Sequence, residues 1–308
     1  MGGSPPFFTV FTPTYNRAHL LTTAYRSLCG QEGSSFEWLV VDDGSTDNTR
    51  QLVEQWQQHA SFPIRYYYQP NSGKHAAINR AVQLASGELM IILDSDDWLA
   101  QDALTSIRGV WESIPVEERE RFVGVVGLYA FSDNRVVGQP FPHSPMDTDA
   151  LELQIRYRVR GDKFGANRVD VLRQFPFPEN LGRFVPESLV WNRIASRYKL
   201  RCVNQIWAHT QYHSDGLSSR MLQNRVQSSH TARLYYQELF EAASNMNGAS
   251  TSARVRVGAN YVRFSLHTGL PLRQVARDAA AIGVCIASVA LGALLYHRDR
   301  FLLRDSKG

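Results

Sequence analysis

Cysteine is scarce, with three in 308 residues, at Cys29, Cys202 and Cys285. The number is odd and the spacing wide. That argues against a disulfide framework and a zinc-type cluster, and the expectation is free buried thiols in a reducing compartment. A strong charge of either sign is also missing. The 33 Lys and Arg against 29 Asp and Glu leave a formal +4, a mild excess that suits an anionic substrate or a membrane surface. No nucleic-acid motif accompanies it, so a nucleic-acid partner is not expected. The first residues lack a basic-then-apolar signal pattern, and Pro6 stands where a myristoylation signal wants Ser or Thr. Internal repeats, low-complexity tracts and clear linkers are absent. The run Ala279 to Tyr296 is free of charge.

What is present is ordinary globular composition, 44% hydrophobic and 20% charged, which excludes a disordered chain. Along the first third, short apolar runs alternate with helical spacing. Phe7 to Thr12, Phe36 to Val41, Ile64 to Tyr68 and Glu88 to Leu93 are predicted strands. Between them, helices are predicted from Leu20 to Leu28, through Trp56 after a cap at Ser45 or Thr46, and over Lys74 to Ala85. Short loops between such elements point to an α/β fold, a Rossmann-like, mostly parallel central sheet flanked by helices. A helix is expected over Leu99 to Ile114. Strands follow at Val123 to Phe131, Arg135 to Val137, Gly161 to Asn167, Leu200 to Val203 and Trp207 to Tyr212, with a helix from Glu187 to Tyr198. From about Met221 onward the pattern is helical, a C-terminal appendage.

The chemistry concentrates where apolar runs end in acids. Met90-Ile91-Ile92-Leu93 runs directly into Asp94-Ser95-Asp96-Asp97, and Val41 runs into Asp42-Asp43-Gly44-Ser45-Thr46-Asp47. Carboxylates at the end of a buried strand are costly unless a cation or a hydrogen-bond network occupies them. In an open α/β sheet all parallel strands deliver these ends to one crevice, where ligands bind. Hard oxygen donors without nearby Cys or His favour Mg²⁺ or Mn²⁺ over zinc.

These stretches, together with Thr12-Pro13-Thr14-Tyr15-Asn16-Arg17 and Asn71-Ser72-Gly73 with Asn79, resemble the inverting family-2 glycosyltransferases of the GT-A fold, in the family's order. The resemblance implies transfer of a sugar from a nucleotide-diphosphate sugar, most simply a UDP-sugar, to a saccharide or lipid-linked saccharide. The setting it implies is surface-polysaccharide assembly, such as capsule, exopolysaccharide or lipopolysaccharide. It implies that Thr12, Tyr15 and Arg17 line the nucleotide pocket, with Tyr15 stacking near the base. Asp42 accepts from the base and Asp43 supports the loop. Asp96 holds the metal, Asp94 holds ribose or metal, and Ser95 and Asp97 complete the donor site. Relatives often carry an Arg-Asn pair where this chain has Ile78-Asn79, and Lys74 is the candidate substitute for touching phosphate.

A later piece, Phe184-Val185-Pro186-Glu187-Ser188 with Trp191-Asn192-Arg193, resembles the acceptor-side segment of a bacterial subgroup. Direct inversion needs a base that takes the acceptor hydroxyl proton as that oxygen attacks. Glu187 is the candidate, in the first turn of a helix whose dipole favours its charged form. Glu179 is its nearest competitor. Trp191 is a candidate platform for an acceptor sugar, and His213, near His209 and Asp215, a minor candidate metal ligand. Two other classes stand beside this one. A sugar-phosphate nucleotidyltransferase calls for a Gly-rich basic loop after the first strand, unlike Thr12-Pro13-Thr14-Tyr15. A non-catalytic sugar-nucleotide or polysaccharide binder has no need of a base.

The expected organisation is a GT-A domain over residues 1–220, with a nucleotide-binding half to about 115, and a helical region over 221–308. The run 279–296 is near the minimum length of a membrane span, but it is rich in Ala, Gly and Ser. A buried or interfacial helix is the expectation. With Arg273, Arg277, Arg298 and Arg300 flanking it, the enzyme is expected in the cytoplasm, peripheral at the inner face of the membrane.

Overall fold

The computed structural model describes residues 5–182, 184–211 and 221–305. In chain order the elements begin β1 (Phe8–Thr14), α1 (Ala18–Cys29), β2 (Phe36–Asp42), α2 (Thr49–Gln57), β3 (Ile64–Tyr68), α3 (Lys74–Leu84) and β4 (Leu89–Ile92). They continue with β5 (Trp98–Leu99), α4 (Ala103–Glu112), β6 (Phe122–Phe131), β7 (Met146–Thr148), α5 (Ala150–Ile155), β8 (Lys163–Arg168), α6 (Val169–Leu172), α7 (Glu187–Ala195) and β9 (Lys199–Thr210). Among the described residues the chain closes with α8 (Met221–Gln227), α9 (Ser229–Asn245), α10 (Thr251–His267), α11 (Leu272–Ala281) and α12 (Ile286–Asp305).

The chain divides into two compact units, one of residues 1–150, 159–177 and 193–211, the other of 151–158, 178–192 and 212–308. The first holds the sheet, in the order β3-β2-β1-β4-β8-β6-β9-β5, with β7 on β9. Strands β3, β2, β1 and β4 are mutually parallel, β8 runs against β4 and β6, and β6 pairs parallel with β9. Every residue of β1 and β2 is buried, as expected of strands covered on both faces. On one face Phe8, Val10, Trp38 and Val40 pack with Leu21, Val53 and Ile107 from α1, α2 and α4. Tyr25 stacks on Trp56 at 4.4 Å, beside Trp38. Alternate residues such as Phe11 and Leu39 turn to the other face, where α3 lies on β1 and β2 and buries Ala77, Ile78 and Ala81. There Glu37, nearly inaccessible, accepts from Thr9 Oγ1 at 2.7 Å, Ser86 N at 2.9 Å and Arg65 Nη1 at 2.9 Å.

Several expectations are corrected. The helix expected from Leu99 begins only at Ala103, because Trp98 and Leu99 pair with His209 and Ala208 of β9, and Asp102 takes a left-handed φ of 58°. The two strands expected over 200–212 are one strand, β9. Its register against β6 slips between Val126/Cys202 and Leu128/Ile206, and the polar Asn204 and Gln205 fall in that bulge. Arg135 to Val137 contributes only a bridge, Val136 to Ala130. The thiols are not all buried: Cys202 is, while Cys29 and Cys285 are exposed. The uncharged run 279–296 is broken between α11 and α12 at Gly283, whose φ is 81°. Among the described residues no helix is long and apolar enough to cross a membrane.

Candidate active site

The parallel register brings the strand ends together. Thr14 lies opposite Asp42, Asp43 N donates to Thr14 O at 2.9 Å, and Leu93 N donates to Phe11 O at 2.8 Å. Three loops therefore leave β1, β2 and β4 from one edge, carrying Tyr15 to Arg17, Asp42 to Asp47, and Asp94 to Asp97.

The first two loops are stitched to each other. Asn16, at a φ of 52°, donates through its N–H to Ser45 Oγ at 2.8 Å and accepts from Thr46 N at 2.7 Å. Asp47 accepts from Ala18 N at 3.1 Å with one oxygen, and from Thr49 N and Thr49 Oγ1 with the other. One carboxylate thus starts both α1 and α2. Burial raises the Asp47 carboxyl, but the bonds from Thr49 and Ala18 outweigh it and hold it below the usual range. The cap expected at Ser45 or Thr46 is corrected accordingly: α2 starts at Thr49, and the groups near enough to its first N–H belong to Asp47. Gly44 has a φ of 94°, and a Cβ there would stand 2.8 Å from Asn71 N. That close approach lets the buried Asp43 accept from Ser72 N at 2.9 Å, Gly73 N at 2.8 Å and Gln69 Nε2 at 2.7 Å. Asp43 thereby fixes the Asn71-Ser72-Gly73 turn that opens α3.

Asp42 is also buried and accepts from Ser45 N at 2.7 Å and Tyr66 Oη at 2.6 Å. Burial, and then the bond to Asp42, push the Tyr66 phenol up. Asp42 lines a cavity of about 250 Å³ with Ser45, Thr46, Asp47, Arg50, Gln51, Tyr66 and Tyr68. Tyr15 is half exposed and not among those walls. Thr12 is fully buried, its hydroxyl accepting from Trp38 Nε1 at 2.9 Å, so it braces β1 from within. Asn79 makes a two-way bond with the Phe177 backbone, donating at 2.9 Å and accepting at 2.8 Å, and so ties α3 to Phe177.

The Asp94 loop gathers cations of the chain itself. Arg17 Nη1 donates to Asp96 Oδ2 at 2.7 Å, and Lys74 Nζ lies 2.7 Å from each oxygen of Asp94. The Asp96 and Asp94 side chains stay 21% and 35% accessible, so both reach solvent. Behind them Asp97 and Ser95 are buried. Burial drives the Asp97 carboxyl up to about 7, the charges of Asp94 and Asp96 add to it, and hydrogen bonds with Thr210 and Tyr129 hold it back. This crowding of negative charge is what an added divalent ion relieves. Two accessible carboxylates suit a hard cation whose other positions go to water or phosphate oxygen, and among the described residues no complete cluster of three His, Cys, Asp or Glu is formed.

His209 stacks on Trp98 at 5.7 Å, and its Nδ1 is 3.2 Å from Phe131 O. His213 and Asp215 lie outside the described residues. In the second unit Glu187 is the first residue of α7 and half buried, as is Trp191 one turn on, while Glu179 is exposed in the preceding loop. Sequence reasoning missed Tyr66 and the double role of Asp47. The run Tyr66-Tyr67-Tyr68 at a strand end was the available signal for the first.

The family model described as "Glycosyl transferase family 2" matches residues 9–174. A GalNAc(5)-diNAcBac-PP-undecaprenol beta-1,3-glucosyltransferase of Campylobacter jejuni is 35% identical over 104 residues, 33% of this chain and 33% of that one. The chain matches about a third of the length of such curated relatives. Among solved structures, TarS residues 1–349 of Staphylococcus aureus in complex with UDP-GlcNAc has a TM-score of 0.60 at 19% identity, covering 95% of this chain and 91% of that one. The mannosyltransferase PcManGT of Pyrobaculum calidifontis, in complex with GDP-Man and Mn²⁺, has a TM-score of 0.54 at 21% identity, covering 97% and 83%. These two likenesses establish the fold.

Proposed function

The chain belongs to glycosyl transferase family 2, and from that premise we propose that it moves a sugar, with inversion, from a nucleotide-diphosphate sugar to a saccharide or lipid-linked saccharide in surface-polysaccharide assembly. One observation carries the reading: Asp94 and Asp96 stand at a strand end, accessible, and matched by Lys74 and Arg17. Two carboxylates paired with two cations are what a site for a metal-bound diphosphate needs on its protein side. A UDP-sugar is the preferred donor. In support, the TarS structure holds UDP-GlcNAc, and the Campylobacter relative is named for a PP-undecaprenol-linked acceptor.

Asp96 and Asp94 would hold Mg²⁺ or Mn²⁺, which supplies charge neutralisation to the diphosphate as it leaves. The chain's own part follows from the ion pairs. Lys74 and Arg17 neutralise the two carboxylates when no donor is bound, and each has N–H donors to turn to phosphate when the carboxylates are engaged. Asp43 holds the turn that presents Lys74. Asp42 keeps acceptor lone pairs facing a polar cavity of a size to admit a pyrimidine, with Tyr15 available as a flat face. The base is assigned to Glu187 from its motif and its seat in the first turn of α7. Trp191, four residues on, shares that helix face and is the acceptor-side candidate.

The test is a donor screen with purified protein and Mn²⁺ or Mg²⁺, following nucleotide release. Asp96→Asn is expected to abolish turnover, and Glu187→Gln to keep donor affinity while transfer falls at least about a hundredfold. Full activity in EDTA would remove the metal. A chain that binds a sugar nucleotide yet never turns it over would be the binding protein instead.

A further inference from the structure

Helix α12 is apolar on the wrong side. The face packed on α10 carries Ser288, Gly292 and Asp299, all buried, with Ser288 and Asp299 at 0% exposure. A Cβ on Gly292 would stand 2.5 Å from Ala259 O, and Ser288 Oγ donates to Val255 O at 3.1 Å. Asp299 accepts from Arg263 Nε at 2.5 Å and Nη2 at 2.7 Å, with His267 Nε2 at 3.1 Å. The opposite face carries large side chains, Ile286 at 88% exposure, Leu294 at 68% and Phe301 at 66%, while Leu302 at 47% and Leu291 at 38% lie along one flank. In water a helix orders itself the other way round, large apolar residues inward and polar ones outward. Small and polar residues between helices with bulky apolar residues outside is the arrangement of helices that meet hydrocarbon.

The charges on this helix point the same way. At 100° per residue, Ile286, Leu294 and Phe301 fall within one stripe, and Arg298 and Arg300 fall toward its two sides. Both arginines are exposed, as are Arg273 and Arg277 on α11. The only acid between Ile286 and Leu303 is Asp299, which is turned inward. A second copy of this face would bring the same arginines, while Asp299 is held inward by Arg263 with Arg298 Nη2 3.8 Å away, and the other acid of α12, Asp305, comes only at its end. An anionic lipid surface supplies the missing charge and covers the apolar stripe at once. The helix does not span, since no described helix is long and apolar enough and these arginines interrupt it.

We propose that α12 lies in the plane of an anionic membrane surface, its Ile286–Leu294–Phe301 stripe entering the acyl boundary and Arg298 and Arg300 meeting lipid phosphates. The proposal goes beyond the catalytic reading and does not depend on it. Flotation of the full chain with vesicles of phosphatidylcholine containing phosphatidylglycerol tests it, with phosphatidylcholine alone as the comparison and analytical ultracentrifugation without lipid alongside. Wild type is expected to be a monomer that floats with the anionic vesicles. Arg298→Gln/Arg300→Gln should weaken binding about 30-fold, and Leu294→Glu/Phe301→Glu at least about 100-fold. Melting curves confirm that the variants fold, and Leu294→Ser/Phe301→Ser replaces the acidic pair if it does not. Failure of wild type to float, equal binding by the variants, or a dimer that Leu294→Glu/Phe301→Glu dissolves would overturn the proposal. Nucleotide release measured without vesicles reports on catalysis separately.

Discussion

Replacing Lys74 by Met should move two affinities in opposite directions. Lys74 Nζ sits 2.7 Å from both oxygens of Asp94, with the two side chains 25% and 35% accessible. A fully exposed pair is worth about 0–1 kcal/mol, and breaking a buried one costs about 3–5 kcal/mol. Exposure of a quarter to a third puts this one near the weaker end, at about 1.4 kcal/mol, or tenfold. Without Lys74 the Asp94 carboxylate has lost its resident competitor, and the cluster is one unit more negative. Mn²⁺ alone should therefore bind about tenfold more tightly. The donor, which loses a phosphate contact, should bind about tenfold more weakly at saturating metal. Free Mn²⁺ can be followed by its electron paramagnetic resonance signal, and donor affinity by calorimetry. Methionine keeps the length of the stem, so packing changes little. If Mn²⁺ binding is unchanged or weaker while the protein melts normally, Lys74 is not the cation that occupies the metal position, and the exchange argument fails.

Glu37→Gln leaves Arg65 without its buried carboxylate and should cost about 2–4 kcal/mol in urea unfolding. Burial raises this carboxyl, but Arg65, Thr9 and Ser86 outweigh it, so its folded value lies below the ordinary one. The stabilisation is complete above the unfolded value and is lost as pH falls through the folded one, so the gap between wild type and variant should shrink on acidification below about pH 4.5. Gly44→Ala, at a φ of 94° and 2.8 Å from Asn71 N, should cost about 2 kcal/mol and weaken donor binding, both visible by thermal melting with and without UDP. Asn79→Ala removes both bonds to the Phe177 backbone and should cost about 2 kcal/mol, with faster proteolysis after Phe175 as the local readout.

The first four strands and the acids that end them were legible because both signals are local. An apolar run marks β4 at Leu89–Ile92, and Asp94 follows that run, after Leu93, directly in sequence. What escaped depends on partners far along the chain. Asn79 meets Phe177 across 98 positions, and Arg17 meets Asp96 across 79. Leu99 looks like the start of a helix until β9 is beside it. The polar Asn204-Gln205 looked like a break between strands, whereas a bulge absorbs it without ending β9. Cys29 and Cys285 were expected to follow their residue type's usual burial, but Cys29 ends α1 and Cys285 sits in the connection before α12, and both are exposed.

Asp47 has a bearing on how the donor end could be altered. Because a single side chain caps α1 through Ala18 and α2 through Thr49, and Asn16 is locked to Ser45 and Thr46, the two loops form one mechanical part. Neither can be lengthened or grafted alone without unseating the start of the other's helix. Attempts to redirect sugar-nucleotide choice in this chain should transplant residues 14–18 and 42–49 as a matched set.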